Sequence, residues 1–418
     1  MIKTELLAWA ERQTDGDVNA KPDYQLSLSS KLIRFRWNDT LTVAVGSDAG
    51  SKTCINAVLD AAAMAIAASP TEADVHLLLG TGTADADPPS IQERLDAIGT
   101  LVTELRGAPR IRVWTIAAEE EPQEVPVEPP QFNTATPARW SKMLMAAATT
   151  PVSGMAAALA HAMTTRPAFA LYPKLSSQNS AQPWQMRLDG LEIGRTGAAG
   201  TTLRLASKDL EKPNEPRVSW RHVVRQAEIP FAAGQLDELV AIVDQLIAAW
   251  TVSNGSGAVL AHGQAEHALE AHVLSGRLTL NATDGPLRLA VPFRDRMLGA
   301  AQFPTLWGDV TRPSRYLDAL LADSANRPWA IELKDQDAGG GHGAYLRHGI
   351  GQAVLYRHYI KSASALDPWF EHHGLNRDEC QAALAFPTAA PSTAKAISRL
   401  RHLAAHYDVE VIEFPRPA

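Results

Sequence analysis

Alternating apolar and polar positions near the start of the chain predict strands, and apolar stretches of helical period follow them. Residues 24–37 alternate with the period of half-buried strands, and residues 41–45 predict another strand that runs into a loop at 46–53. Strands and helices that alternate in this way indicate a parallel, three-layer α/β unit, a Rossmann-like region over residues 1–118. Its further expected elements are a helix to about residue 69, a strand at 75–79, a helix at 90–106 and a strand at 111–116.

The middle of the chain joins a proline-rich, acidic stretch to helical and strand patterns. We expect a surface linker or long loop at residues 119–137, because proline continues neither a helix nor an inner strand. Residues 138–164 carry apolar side chains at helical spacing. Strands at 184–193 and 201–206 flank a glycine-rich turn with one arginine, a pattern that predicts a β-hairpin. A mixed α+β region is therefore expected over residues 138–232.

The pattern of apolar and polar residues after position 232 predicts one further domain over residues 233–418. Apolar residues recur at helical spacing from 235 to 250, so we expect an amphipathic helix that leads into this domain. Beyond it the pattern predicts, in order, a helix, several strands, a helix, a strand, a helix and a strand. The expected bounds are 263–275, 287–292, 303–307, 316–321, 329–333, 344–360, 382–386, 393–406 and 409–414.

Composition narrows the class of protein. With 45% hydrophobic and 20% charged residues, the chain of 418 residues has material for two or three packed domains. No apolar run reaches the roughly 18 residues of a membrane span and no signal-peptide pattern is seen, so we expect a cytoplasmic protein without a membrane partner. The two cysteines supply neither a disulfide framework nor a zinc site. The net charge of −7 argues against coating nucleic acid through bulk positive charge.

Charged and polar residues interrupt the apolar pattern of the last domain at a few positions on its predicted strands and on one helix. Asp318 lies inside one predicted strand, and Glu332 lies near the end of the next, with Lys334 two residues further on and therefore on the same face. On the following helix, Gln352 and Tyr356 are four residues apart and also share a face. Carboxylates from neighbouring strands can hold one hard cation such as Mg²⁺. A charged pair at the end of a buried strand is costly without a function, which favours an active site.

These residues, in this order of elements, resemble the PD-(D/E)XK nuclease superfamily. Asp318 matches the first acid of the family, and the run from Glu332 to Lys334 matches its E-x-K motif. The run from Gln352 to Tyr356 matches the Gln-x-x-x-Tyr helix of RecB-like members. The resemblance implies a restriction-endonuclease-like α/β/α fold for the C-terminal domain.

The resemblance covers about residues 260–418 and reaches the first helix of that region. Glu270 occupies the place of the acid on the family's first helix, and Glu266 one turn earlier is the alternative. The sequence departs from the pattern at one position, where Leu317 and not proline precedes Asp318. The match to the family motif therefore depends on Asp318, Glu332 and Lys334.

By this resemblance, the chain is expected to be a Mg²⁺- or Mn²⁺-dependent nuclease that hydrolyses DNA phosphodiester bonds, with RNA as the alternative substrate. The same resemblance implies a role for each residue of the motif. The metal ligands would be Asp318, Glu332, Glu270 and the backbone carbonyl of Leu333, while Lys334 would hold the attacking water and Gln352 and Tyr356 would support the site.

The cellular role that the resemblance implies is phage defence, restriction or DNA repair. The N-terminal region would then act as a sensor or targeting module, with a nucleotide or a protein as its partner. A homo-oligomer is compatible with this arrangement. This step rests on analogy with other proteins of the fold.

Two other functions remain open at this stage. One is a catalytically inactive member of the fold that binds nucleic acid or protein. The other is a nucleotide-sensing protein in which the loop at 46–53 binds phosphates through Lys52 and Thr53, although Ser51 replaces the glycine that a phosphate loop needs. We prefer an ordinary strand-to-helix turn for this loop. Further candidates for phosphate contact or proton transfer are His342, Arg347 and His348.

Overall fold

The computed structural model of this protein shows a mixed α/β chain built on several sheets. All statements below refer to the residues that it describes. These are 1–14, 32–67, 74–81, 91–107, 110–118, 120–132, 135–149, 151–166, 168–173, 184–188, 191–197, 199–204, 228–255, 265–274, 276–290, 301–305, 315–335 and 344–416.

The first sheet has five strands, in the order β1-β2-β3-β4-β5. The three central strands run parallel, while β1 and β5 pair antiparallel at the two edges. The three central strands match the expected parallel unit, whereas the antiparallel edge strands make the sheet mixed. The expected strand residues 24–31 lie outside the described part of the chain. The strands are β1 (Leu32–Trp37), β2 (Thr40–Val45), β3 (Asp74–Gly80), β4 (Arg110–Ile116) and β5 (Gln123–Glu124).

Helices cover both faces of the first sheet. Successive strand residues point to opposite faces, so Val43 and Val45 pack beneath α2 (Ser51–Ala67) and α3 (Ile91–Thr103). Ala44 lies on the other face, in the apolar cluster that holds the buried residues of α1 (Lys3–Gln13). The first unit therefore has three layers, as its sequence pattern predicts.

The stretch expected to be a linker is packed against the protein where it is described. Its β5 strand extends the first sheet, and Phe132 is buried with its ring 5.0 Å from that of Tyr359. The next helix, α4 (Ala135–Thr149), begins three residues earlier than the pattern predicts. Its Trp140 lies in the largest apolar core of the protein.

A second sheet, entirely antiparallel, follows in the order β10-β9-β8-β7-β6. The predicted hairpin is confirmed between β8 and β9, where Thr196 pairs with Thr201. The segment expected as one strand at 184–193 contains two strands, β7 and β8. The strands are β6 (Phe169–Pro173), β7 (Trp184–Leu188), β8 (Leu191–Thr196), β9 (Gly200–Arg204) and β10 (Glu228–Ala232).

Two helices share the core of the second sheet. They are α5 (Gly154–Ala162) and α6 (Leu236–Gly255), whose Leu159 and Val243 lie in one apolar cluster with Met186. The amphipathic helix that we expected to lead into the last domain thus buries its apolar stripe against the middle region. The helical spacing of apolar residues in α6 shows that one face is buried but does not show which element covers that face.

The third sheet has six strands and contains the predicted charged residues. In it β15 and β16 are antiparallel, while β16, β17 and β18 are parallel, and β14 pairs with β15. A two-stranded hairpin of β11 and β12 lies outside this sheet. The strands are β11 (Asn281–Ala282), β12 (Gly285–Pro286), β13 (Arg288–Leu289), β14 (Ala301–Thr305), β15 (Arg315–Ala322), β16 (Pro328–Leu333), β17 (Gln381–Pro387) and β18 (Val409–Phe414).

Helices pack on both faces of the third sheet as well. Ile331 and Leu333 lie in the cluster that holds the buried side of α7, whereas Ala330 lies in the core that holds α8. The predicted order of helices and strands is confirmed here, and α9 is an addition that the pattern did not indicate. The helices are α7 (Ala265–Leu274), α8 (Ala344–Ser362), α9 (Asp367–His372) and α10 (Ala394–Ala405).

The first and third sheets are joined through α2 and α8. A Cβ atom on Gly351 of α8 would lie 2.5 Å from Ile55 Cγ2, so only glycine allows the two helices to approach this closely. Beside this contact, Asp60 of α2 forms buried ion pairs with Arg34 of β1 and Arg347 of α8. Residues of both units therefore form one continuous apolar core. Among the described residues, no helix is long and apolar enough to cross a membrane.

Candidate active site

Asp318 and Glu332 lie on adjacent strands at the point where backbone pairing between those strands ends. The pairing of β15 with β16 runs from Ala322 opposite Pro328 to Ala319 opposite Ile331. One residue further on, the Asp318 carboxylate accepts a hydrogen bond from the backbone amide of Leu333 at 2.8 Å. The side chain of Asp318 thus replaces a backbone partner and is held against the end of β16.

Lys334 follows β16 directly, and its ammonium group is surrounded by oxygen atoms. The Lys334 amide donates to the carbonyl of Ala385 in β17 at 3.0 Å, which aligns the strand end. The Lys334 Nζ atom lies 2.5 Å from Glu332 Oε1, 3.3 Å from the Leu333 carbonyl oxygen and 3.4 Å from Glu266 Oε1. The structure therefore brings the predicted acid and lysine together on one strand face and adds Glu266 from α7.

The stem of Lys334 is packed against α8 at a glycine. A Cβ atom on Gly349 would lie 2.6 Å from Leu384 Cδ1 and 3.2 Å from Lys334 Cγ. Both distances are shorter than an ordinary carbon contact, so glycine is needed for the helix to approach the lysine this closely. Gly349 was not identified from the sequence, because its role depends on a residue of another element.

The electrostatics of the cluster favour an added positive charge. Burial raises the pKa of Asp318 well above its ordinary value, and the negative charges of Glu332, Glu270 and Glu266 raise it further, against the opposing effect of Lys334. Burial acts to lower the pKa of Lys334, but the nearby carboxylates of Glu332, Asp318 and Glu266 outweigh it and the net shift is upward. One ammonium group thus faces the carboxyl groups of Glu332, Asp318 and Glu266, and Glu270 acts on Asp318.

A second ion pair anchors the residue after Lys334. The buried carboxylate of Asp335 accepts two hydrogen bonds from the guanidinium of Arg416, at 2.6 and 3.1 Å. Bidentate pairs of this kind combine charge with a defined geometry. They hold the chain where it leaves β16, and the sequence offered no signal that would pair two residues so far apart.

Gln352 and Tyr356 share a face of α8, as predicted, and contact each other. The Gln352 side-chain amide donates to the Tyr356 hydroxyl at 3.3 Å, and Tyr356 is buried. Because α8 packs on β16 and β17, this pair belongs to the helix that covers the candidate site. The geometry is compatible with a supporting role.

The types of donor at the site suit a hard divalent cation, but the described side chains are not gathered into a preformed metal site. Asp318, Glu332 and Glu270 offer carboxylate oxygens, and the carbonyl of Leu333 already faces a cation, the Lys334 ammonium. Mg²⁺ prefers oxygen ligands, keeps several waters and needs only one or two carboxylates. Within the described part of the chain, no group of three or more His, Cys, Asp or Glu side chains is arranged to hold a metal ion.

Other candidates from the sequence lie elsewhere. Arg347 is completely buried in its ion pair with Asp60, so the expectation that it contacts a phosphate is wrong. His348, next to it, is also buried. His342 lies outside the described residues. The side chains of Arg347 and His348 face the protein interior because α8 is enclosed by α2 and the third sheet.

The loop at 46–53 uses several of its amides internally. The Ser47 amide donates to the carbonyl of Met1 at 2.8 Å, the Ala49 amide to Gly46 at 3.1 Å, and the Thr53 amide to Gly50 at 2.9 Å. A phosphate loop would offer such amides to its ligand. Thr53 is buried, whereas Lys52 is exposed and lies near the candidate site.

Comparison with known proteins gave no match, whether to protein-family models, to curated sequences or to solved structures.

Proposed function

We propose that this protein is a metal-dependent nuclease that hydrolyses DNA phosphodiester bonds at the end of β15 and β16. The observation that carries the proposal is the convergence of Asp318, Glu332 and Lys334, with Glu266 beside the lysine. The C-terminal domain would then have a restriction-endonuclease-like fold, although Leu317 stands where many members of that family have proline.

The energetics of the cluster support a catalytic role over a structural one. Burying a carboxylate and an ammonium costs several kcal/mol per ion, and a well-packed apolar pair is often as stable or more so. Here Asp318 and three glutamates surround one ammonium group, and burial first, then the neighbouring carboxylates, raise the pKa of Asp318. A protein retains such an arrangement when the excess negative charge has a cation to bind.

The residues that would hold Mg²⁺ or Mn²⁺ are Asp318, Glu332, Glu270 and the carbonyl of Leu333. When bound, such an ion polarises a phosphoryl oxygen and lowers the pKa of a water molecule. Lys334 would orient that water or offset charge on the phosphate, because its ammonium lies beside Glu332. Gln352 and Tyr356 would support the site from α8, where their side chains contact each other.

A catalytically inactive binding protein is the second candidate, and one observation favours it. Lys334 Nζ and Glu332 Oε1 are only 2.5 Å apart, and a stable pair of this kind could serve structure alone. The nucleotide-sensing alternative has less support, because the amides of Ser47 and Ala49 are used within the chain. The region before residue 233 would serve as a sensor or targeting module in phage defence, restriction or DNA repair.

The test of the proposal is cleavage by the purified protein. Plasmid, linear duplex, single-stranded DNA and RNA would be incubated with Mg²⁺, with Mn²⁺ and with EDTA. We expect cleavage of DNA with either metal and none with EDTA. Binding without cleavage under all of these conditions would favour the inactive alternative.

A further inference from the structure

We propose that Lys52, which belongs to the first sheet's unit, binds a backbone phosphate of the nucleic acid beside the catalytic site. It would act beside Tyr345 at the edge of the site that holds the buried Lys334, so two units of the protein would contribute to one contact. This inference rests on the proposed nuclease activity and names a residue outside the motif that suggested it.

Tyr345 relates the two lysines in space. The Lys52 Nζ atom lies 5.7 Å from the centre of the Tyr345 ring, and the Lys334 Nζ atom lies 5.5 Å from the same point. Both distances are within the range of cation–π contacts. The two ammonium groups are therefore separated by no more than these two distances taken together. Each nucleotide of a duplex strand spans roughly 3.4 Å of helix axis, so the separation corresponds to a few nucleotides at most.

The site itself offers little free positive charge to a phosphate of the strand. Lys334 is paired with Glu332 and also faces Glu266, so its charge is largely used within the site. Lys52 is exposed, and no described carboxylate lies within ion-pair distance of it. A nucleic acid strand that approaches four carboxyl groups is repelled unless positive charge lies nearby. Lys52 supplies that charge close to the strand's expected position.

The position of Lys52 is held by packing. It is the second residue of α2, and α2 is locked against α8 by the close approach at Gly351. The buried pair of Asp60 and Arg347 joins the same two helices. Because α8 also carries Tyr345 and packs on β16, the start of α2 and the catalytic strand belong to one packed core.

The experiment measures DNA binding without cleavage. Asp318→Asn would be the common background, and affinity for a labelled duplex would be measured by fluorescence anisotropy between 50 and 200 mM salt. Lys52→Ala would be compared with Lys52→Arg, which keeps the charge. The matched control is Lys361→Ala, because Lys361 is an exposed lysine at the far end of α8, sixteen residues from Tyr345 and hence about 24 Å away.

We expect Lys52→Ala to weaken binding about threefold to tenfold and to reduce the slope of log K against log salt by about 0.9, the effect of one lost phosphate contact. Lys52→Arg and Lys361→Ala should match the background. In the cleaving protein, Lys52→Ala should raise KM by a similar factor and leave kcat nearly unchanged.

The outcomes separate this inference from the proposed function. If the protein cleaves DNA and loses cleavage with Asp318→Asn, but Lys52→Ala binds with the affinity and salt slope of Lys361→Ala, then the role of Lys52 is overturned and the nuclease stands. If the wild type neither binds nor cleaves DNA, both are overturned. A lowered melting temperature of Lys52→Ala with an unchanged salt slope would also count against the phosphate contact.

Discussion

Lys334 and Glu332, two residues apart, form a buried ion pair in which the ammonium nitrogen lies 2.5 Å from a carboxylate oxygen. The pair lies at the end of a central strand, beside Asp318 on the neighbouring strand. Its cost in desolvation is explained if the pair and its surplus of negative charge bind metal and substrate. The following predictions test that explanation and the packing that holds the pair in place.

Replacing Lys334 by methionine should slow cleavage strongly and destabilise the protein. We expect kcat to fall about 100-fold or more, because a positive charge at the reacting phosphate is lost. The free energy of unfolding should fall by up to about 3–5 kcal/mol, since Glu332 would keep its buried charge without the ammonium. Cleavage rates and urea unfolding measure the two effects. Lys361→Met is the control, and equal behaviour of the two variants would contradict the assignment.

Gly349→Ala should affect cleavage through the position of Lys334. The added methyl group would lie 2.6 Å from Leu384 Cδ1 and 3.2 Å from Lys334 Cγ, so the helix or the lysine must shift. We expect a loss of about 1–3 kcal/mol in stability and about tenfold to a hundredfold in kcat. At Gly234 the space around an added Cβ is open. Gly234→Ala should therefore retain full cleavage, and a fully active Gly349→Ala would refute the tight contact.

Asp60→Asn should weaken the junction between the first and third sheets. Asp60 carries the negative charge that the buried guanidinium groups of Arg34 and Arg347 share, and losing it should cost about 3–5 kcal/mol. Arg401→Ala removes an ion pair with Glu413 in which the arginine side chain is 51% exposed, and should cost only about 0–1 kcal/mol. Thermal or urea unfolding of both variants measures the contrast. Equal effects would mean that burial does not set the strength of the Asp60 contacts.

Glu104 should make part of the stability depend on acid pH. His358, whose Nδ1 atom lies 3.8 Å from Glu104 Oε1, and Arg357, which donates a hydrogen bond to Glu104 Oε2 at 2.8 Å, together outweigh burial and lower the pKa of Glu104 from 4.5 to about 2. The folded state therefore favours the ionised carboxylate. Its contribution is fully present above pH 4.5 and is lost as the pH falls through about 2.

Glu104→Gln should lower the free energy of unfolding by about 2–3 kcal/mol at neutral pH. The difference from the wild type should shrink as the pH falls from 4.5 towards 2. Urea unfolding at a series of pH values measures it. The exposed residue Glu371 supplies the control variant, Glu371→Gln, whose difference should stay small and constant. A Glu104→Gln difference that does not change over this range would count against the contact.

Local pattern predicted much of the fold, because strand and helix periods are set by neighbouring residues. The main strands of the third sheet were predicted from apolar runs, and the face shared by Glu332 and Lys334 follows from their two-residue spacing. The partner of α6 could not be predicted in this way, since a stripe such as Leu239 and Val243 shows only that one face is buried. In the structure, this face of α6 packs into the apolar core of the second sheet.

Contacts between residues far apart in the chain could also not be predicted from the sequence. Asp60 and Arg347 are 287 positions apart, and periodicity gave no reason to pair them, so Arg347 was considered as a candidate for phosphate contact. The same holds for Lys52, which was considered only for a phosphate loop, although it faces Tyr345 beside the candidate site. Both positions depend on how α2 packs against α8, which the sequence pattern of either helix does not specify.

The most direct test of the account is Mg²⁺-dependent DNA cleavage by Asp318→Asn, measured together with its melting temperature in the absence of metal. The raised pKa of Asp318 means that its ionised form opposes folding at neutral pH, so a neutral asparagine should leave the melting temperature unchanged or raise it. We predict a stable variant without metal-dependent cleavage. Cleavage at the wild-type rate by this variant would contradict the proposed active site.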